Sequence, residues 1–246
     1  MRLYRFLAPG LIALVTVGSY VSSDKIPLMN EIIQTFAVYA LPVLFAITLH
    51  EASHAYAARY FGDSTAYLQG RMSLNPVKHI DPIGTLLIPI VLYVVGSPFL
   101  FGYAKPVPVN WANLRKPKRD MAWVALAGPG ANIVMALMWM VLLLFLNAGQ
   151  AEEPFFMRMA QAGIVVNLVV FAFNLFPIPP LDGGRVMASI LPSKYAYQFE
   201  KIEPYGFFII LGLLFLGVLR YWMVPVMTMT HQALLVIMSP LTFLLN

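Results

Sequence analysis

From Met121 to Asn147 the chain reads MAWVALAGPGANIVMALMWMVLLLFLN, without one acidic, basic or histidine side chain. A run of that length excludes most folds. About 20 consecutive apolar residues in a helix cross the hydrocarbon core of a bilayer. Comparable runs recur at 4–21, 32–60, 158–178, 205–221 and 223–243. The whole chain is 60% hydrophobic and 11% charged, with a mean hydropathy of +0.75. A soluble domain carries about 25% charged residues. The deficit persists along the full length, so a soluble domain on one anchor is excluded and an all-α polytopic membrane protein is expected. The opening stretch, MRLYRFLAPGLIALVTVGSYVSS, resembles a signal peptide, but no exported soluble domain follows it, and it reads as an uncleaved first span.

The run GTLLIPIVLYVVGSPFLF, residues 84–101, is short and interrupted by Gly84, Pro89, Gly96 and Pro98. Charge placement decides its reading. If it is re-entrant and Arg2 and Arg5 are cytoplasmic, thirteen of the sixteen Lys and Arg residues lie inside and only Lys25, Arg158 and Arg220 lie outside. That is the positive-inside pattern. A full crossing would move the five basic residues of 105–119 outside. The expectation is about six transmembrane helices plus one re-entrant or β-like membrane-associated segment, both termini inside. They form a single membrane domain over 1–246, with its core at 32–192 and flanking spans at 1–31 and 193–246. The net charge of +5 sits in short loops between apolar runs, where it sets topology and gives no nucleic-acid signal. The absence of cysteine excludes disulfides and thiolate metal sites.

Against this background, AITLHEASHAYAARY at 46–60 is anomalous, because ionisable groups within a span are costly unless paired or set in a polar cavity. His50-Glu51-Ala52-Ser53-His54 is an HExxH pattern. On a helix, positions i and i+4 share a face, so both imidazoles can reach one ion, and Glu51 stands beside the first of them. Zinc suits two imidazoles and a carboxylate with a fourth position left to water. The alternative is two histidines bonded to helix backbone. The better candidate for a third ligand lies in FNLFPIPPLDGGRV, residues 173–186, where Pro177, Pro179 and Pro180 break a span. Irregular backbone at such a depth is tolerated where it lines a cavity. Asp182 follows, flanked by Gly183 and Gly184. Its competing reading is a cap on the next short helix. His79 and Asp81 can be read as a second metal pair, but polar anchors of a loop at the interface are the simpler reading. Asn132, in GPGAN, is expected to lie against the HExxH helix because Gly128 and Gly130 permit close contact; it can tune the site, but packing is the simpler role. Trp111, Tyr221 and Trp222 read as interface anchors.

With HEASH in one span and NLFPIPPLDGG ending another, the chain resembles the site-2 protease family of intramembrane zinc metalloproteases. GRMSLNPVKHIDPIGT, AKPVPVN and ALAGPGAN look like its small bacterial and archaeal branch, and the resemblance covers about residues 32–192. It implies one zinc per chain, held by His50, His54 and Asp182, with Glu51 as general base. It also implies that Asn174 engages the substrate carbonyl or oxyanion, although the same amide can cap the broken helix. The implied substrate is a membrane protein with a transmembrane segment. The implied location is a prokaryotic cell membrane, with the site towards the cytoplasm. The loop NAGQAEEPFFM has no room for the PDZ domain that many family members carry there, and no CBS-type tail is expected. The extended stretches 101–110 and 65–75 are candidate edges for an unwound substrate. A membrane metal transporter and an inactive homologue acting as a binding protein are the competing functions. The first lacks an internal repeat here, and the second conflicts with an intact HEASH.

Overall fold

The computed structural model describes residues 25–88, 91, 104–149 and 154–245. Among these residues the regular elements are helical throughout. In chain order they are α1 (Lys25–Phe61), α2 (Thr65–Leu68), α3 (Pro117–Ala148), α4 (Pro154–Asn174), α5 (Asp182–Ile190), α6 (Ser193–Glu200), α7 (Glu203–Phe215) and α8 (Arg220–Leu245). Four of them, α1, α3, α4 and α8, are long and apolar enough to cross a membrane. They correspond to four of the six runs in the sequence.

The other two runs differ. The first, 4–21, lies outside the described residues. The fifth, 205–221, yields the 13-residue α7. At 1.5 Å per residue that is about 20 Å, short of a hydrocarbon core of about 30 Å. The helix stops there because Gly217 turns the chain with φ at +68°. Most of 84–101 also lies outside the described residues. What precedes it is one wide turn over Pro82–Leu87, capped by Asp81, whose Oδ1 accepts from the N–H of Ile83 (3.0 Å) and Gly84 (2.7 Å).

α1, α3 and α4 pack on one another and form the heart of the molecule. Between helices in lipid the hydrophobic effect offers little drive, so close approach through small residues matters. Ala46, Ala52, Ala55 and Ala58 put such a face on α1, and each is at most 1% exposed. On α4, Gly163 lets the Trp139 indole of α3 lie on bare backbone, where an added Cβ would stand 2.3 Å from the ring. α8 closes the outer side of α4 with Met227, Leu234 and Met238 against Leu168 and Ala172. The Trp222 indole N–H donates to the Ala172 carbonyl (2.9 Å), so Trp222 is a strut between helices. Phe36, Val134, Met138, Val236 and Phe243 remain exposed, as a lipid-facing surface requires.

The end of α1 is fixed by a polar knot. Gly62 takes φ of +116° and turns the chain out of the helix. Buried Asp63 then accepts from the Thr65 N–H (3.0 Å) and hydroxyl, the Asn110 N–H (2.8 Å) and the Asn113 amide (3.0 Å). Burial pushes the Asp63 carboxyl up, but these donors outweigh it and hold it below its ordinary value. The knot ties the stretch 104–110 across the end of α1. His79 adds a second tie. Its ring bonds the Ser73 carbonyl (2.8 Å), and its own carbonyl accepts from the Lys105 N–H (3.0 Å). His79 and Asp81 are therefore loop anchors.

Candidate metal centre

α1 carries His50 and His54 one turn apart on its buried face, and the loop leaving α4 brings Asp182 to meet them at the first residue of α5. That loop can approach because two glycines remove the obstruction. A Cβ on Gly183 would stand 2.2 Å from the Leu175 carbonyl oxygen, and one on Gly184 would stand 2.3 Å from the Pro179 nitrogen. The Leu-Asp-Gly-Gly sequence thus folds back on the proline-broken end of α4 and aims its carboxylate inward.

The resulting triangle is nearly equilateral. His50 Nε2 and His54 Nε2 are 3.1 Å apart, and Asp182 Oδ2 stands 3.2 Å from the first and 3.3 Å from the second. Ligands about 2.0–2.1 Å from a tetrahedral ion are separated by about 3.3 Å, so this triangle is one face of such a tetrahedron. The outer ring nitrogens explain why both Nε2 atoms face inward. His54 Nδ1 lies 2.7 Å from the Val124 carbonyl, which can only accept, so Nδ1 carries the proton. His50 Nδ1 lies 2.6 Å from Asn132 Oδ1. In the neutral rings, two lone pairs and a carboxylate therefore confront one another, and only positive charge between them relieves the repulsion.

Two further observations fit a metal there. Asp182 Oδ2 is buried with no hydrogen-bond donor aligned on it. On the facing wall, Gly128 of α3 leaves a cradle. A Cβ there would stand 2.3 Å from His54 Nε2 and 2.7 Å from His50 Cε1. The space beside the three donor atoms thus exists because residue 128 has no side chain.

Glu51 stands beside this centre without joining the triangle. Its Oε2 accepts from the Val107 N–H (2.8 Å), so one carboxylate oxygen is fixed by the 104–110 stretch. Asn174, the last residue of α4, donates through Nδ2 to the Val170 carbonyl one turn back in the same helix (2.9 Å). The stretch 104–110 carries no regular secondary structure, and no ladder forms on it among the described residues. The N–H groups of Lys105, Val107 and Asn110 bond to His79, Glu51 and Asp63, the carbonyls of Lys105 and Pro106 accept from Arg71, and Pro106 and Pro108 have no N–H. Residues 101–103 of the expected edge lie outside the described residues.

Sequence reasoning favoured packing over tuning of the site for Asn132 and credited both Gly128 and Gly130 with close contact. Gly130 has open space around it, and Asn132 is a direct partner of His50. Asn167, which bonds Asn132, was not singled out. Its signal was an amide amid the apolar run AGIVVNLVVFAF, where a polar group needs a partner. The Val124 carbonyl and the Val107 N–H are backbone groups, which no side-chain pattern reveals.

Comparison with known proteins gives the family. The model of peptidase family M50 matches residues 146–217, the part that holds Asn174 and Asp182. A Bacillus subtilis protein named as a zinc metalloprotease, YwhC, is 36% identical over 208 residues, covering 81% of this chain and 90% of its own. The Mycolicibacterium smegmatis protein Rip2, also named as a zinc metalloprotease, is 29% identical over 86% of this chain and 80% of its own. No solved structure matches the chain. At that identity and coverage, the chain belongs to peptidase family M50.

Proposed function

We propose that this chain is an intramembrane zinc metalloprotease that hydrolyses peptide bonds in transmembrane segments of other membrane proteins. One observation carries the reading. His50 Nε2, His54 Nε2 and Asp182 Oδ2 stand 3.1–3.3 Å apart, with the Glu51 carboxylate beside them and the long apolar helices around them. The relatives named as zinc metalloproteases support zinc as the ion. When bound, zinc supplies Lewis acidity, polarising a carbonyl and bringing the pKa of a coordinating water near 7.

The rest belongs to the chain. His50, His54 and Asp182 would hold the ion at three of four tetrahedral positions, which would leave the fourth for water or substrate. Glu51, with Oε2 pinned by Val107, removes a proton from the attacking water and returns it to the leaving amine. Asn174 stands at the end of α4 on the loop that carries Asp182. By giving up its bond to Val170 it can donate to the developing oxyanion. The substrate helix unwinds locally to expose a carbonyl, since its backbone groups are otherwise locked in the helix ladder. The location we propose is a prokaryotic cell membrane with the site at the cytoplasmic side, a placement supported by the distribution of Lys and Arg.

The test is cleavage of a single-span membrane protein by the detergent-purified chain, with zinc measured in the same samples. Glu51→Gln should lower turnover by about 10²–10⁴-fold while zinc remains bound. Full activity in Glu51→Gln would overturn the assignment of the base.

A further inference from the structure

α3 and α4 each bury one amide at full depth. Asn132 and Asn167 are both 0% exposed in a largely apolar part of the molecule. Burying two amides is costly unless their hydrogen bonds are satisfied, and theirs form a chain with a direction. Asn167 Nδ2 donates to the Gly163 carbonyl (2.8 Å), one turn back on α4. That carbonyl can only accept, so the other end of the amide, Oδ1, faces Asn132. Asn132 Nδ2 donates to it (2.9 Å) and also towards the Ala46 carbonyl on α1 (3.2 Å). Ala46 again can only accept, which fixes the Asn132 amide a second time. Its Oδ1 must then face His50 Nδ1, 2.6 Å away. A ring proton donated to that oxygen leaves the lone pair on Nε2, the atom in the triangle with His54 and Asp182.

We propose that Asn167 and Asn132 are positioning residues that set the tautomer and ring orientation of His50 and thereby raise metal affinity. The inference rests on the zinc reading above. Backbone carbonyls on two helices define the polarity of the relay, and three helices must be packed for it to be complete. α4 contributes twice. Its middle sets His50 through Asn132, and its C-terminal loop delivers Asp182. Loss of contact between α4 and the other two helices therefore weakens two ligands together. Asn132 stands nearer the metal and holds the larger share of the effect. Asn167 acts only through Asn132, whose amide keeps its Ala46 tie when Asn167 is lost.

The test is zinc affinity by chelator competition, measured on the full chain in detergent, beside thermal unfolding of the metal-stripped protein. Asn132→Leu should weaken zinc binding by about 10–100-fold. Asn132→Asp keeps an acceptor for His50 and should hold zinc within a few-fold of the parent, even if unfolding shifts. Asn167→Ala should weaken binding by only a few-fold, and combining it with Asn132→Leu should add nothing. Parent-like zinc affinity in Asn132→Leu would overturn the proposal. So would equal losses in folded Asn132→Asp and Asn132→Leu, or additive losses in the double variant. If Asn132→Leu does not fold, Asn167→Ala decides, and unchanged affinity there overturns the relay. A parent chain that binds no zinc fails differently, since it removes the zinc reading and the relay with it. Zinc in the parent but not in Asp182→Ala keeps that reading whatever the relay variants do.

Discussion

Two aspartates stand within reach of α1, Asp63 fully buried and Asp182 partly so, and their surroundings differ sharply. Asp63 is met by two backbone N–H groups, a hydroxyl and an amide. Asp182 has an oxygen with no hydrogen-bond donor aligned on it, facing two imidazole nitrogens at 3.2 and 3.3 Å. A carboxylate whose acceptors are filled by the protein is structural, and its ligand is the fold itself. A carboxylate whose buried oxygen faces two lone pairs and no donor is built for a cation. The site is thus recognisable by what its groups lack, and the knot beside it shows how the same residue type looks when nothing is lacking.

That contrast can be broken at several points. The largest effect is expected at Gly128→Ala, because its Cβ would stand 2.3 Å from His54 Nε2. Metal content and cleavage should both fall to background, while a chain that retains zinc would show the cradle is not the metal's space. Asn174→Ala should lower turnover by about 10²-fold with zinc retained, as loss of one oxyanion donor does. Loss of zinc in that variant would make Asn174 part of the fold of the Asp182 loop. Asp63→Ala should keep zinc affinity but cost on the order of 2–3 kcal/mol of stability through unsatisfied buried donors. Zinc loss there with the fold intact would erase the distinction between the two aspartates.

The smallest effect is one of pH. Asp63 has its carboxyl held below the ordinary value of 3.8. Its contribution is present above that value and is lost as pH falls through the lower, folded-state value. Thermal unfolding of the parent and of Asp63→Asn should differ by a constant amount above about pH 5, and the gap should close below about pH 4. A gap that widens on acidification would contradict the sign.

Much of the site was legible because its chemistry is local in sequence. HEASH needs only a helix to bring two imidazoles together, and the proline break before Asp182 announces irregular backbone in a span. The long helices were legible because lipid demands uninterrupted apolar runs. The support of the site was less so. Asn132 and Val124 reach their histidines across 82 and 70 residues, and no periodicity predicts which amide faces which ring. The run 205–221 has the hydropathy of a span, but Gly217 ends its helix after 13 residues, which hydropathy does not report. The 101–110 stretch has the alternating prolines of an edge strand, but the N–H groups of 105, 107 and 110 are all spent on anchors inside the molecule.

The most direct measurement is zinc per chain in the detergent-purified parent and in Asp182→Ala. The account predicts about one zinc per chain in the parent and none held by the variant under the same dialysis, with the helical signal unchanged. A parent that stays free of zinc after resupply, or a variant that keeps it, would contradict a centre built from His50, His54 and Asp182.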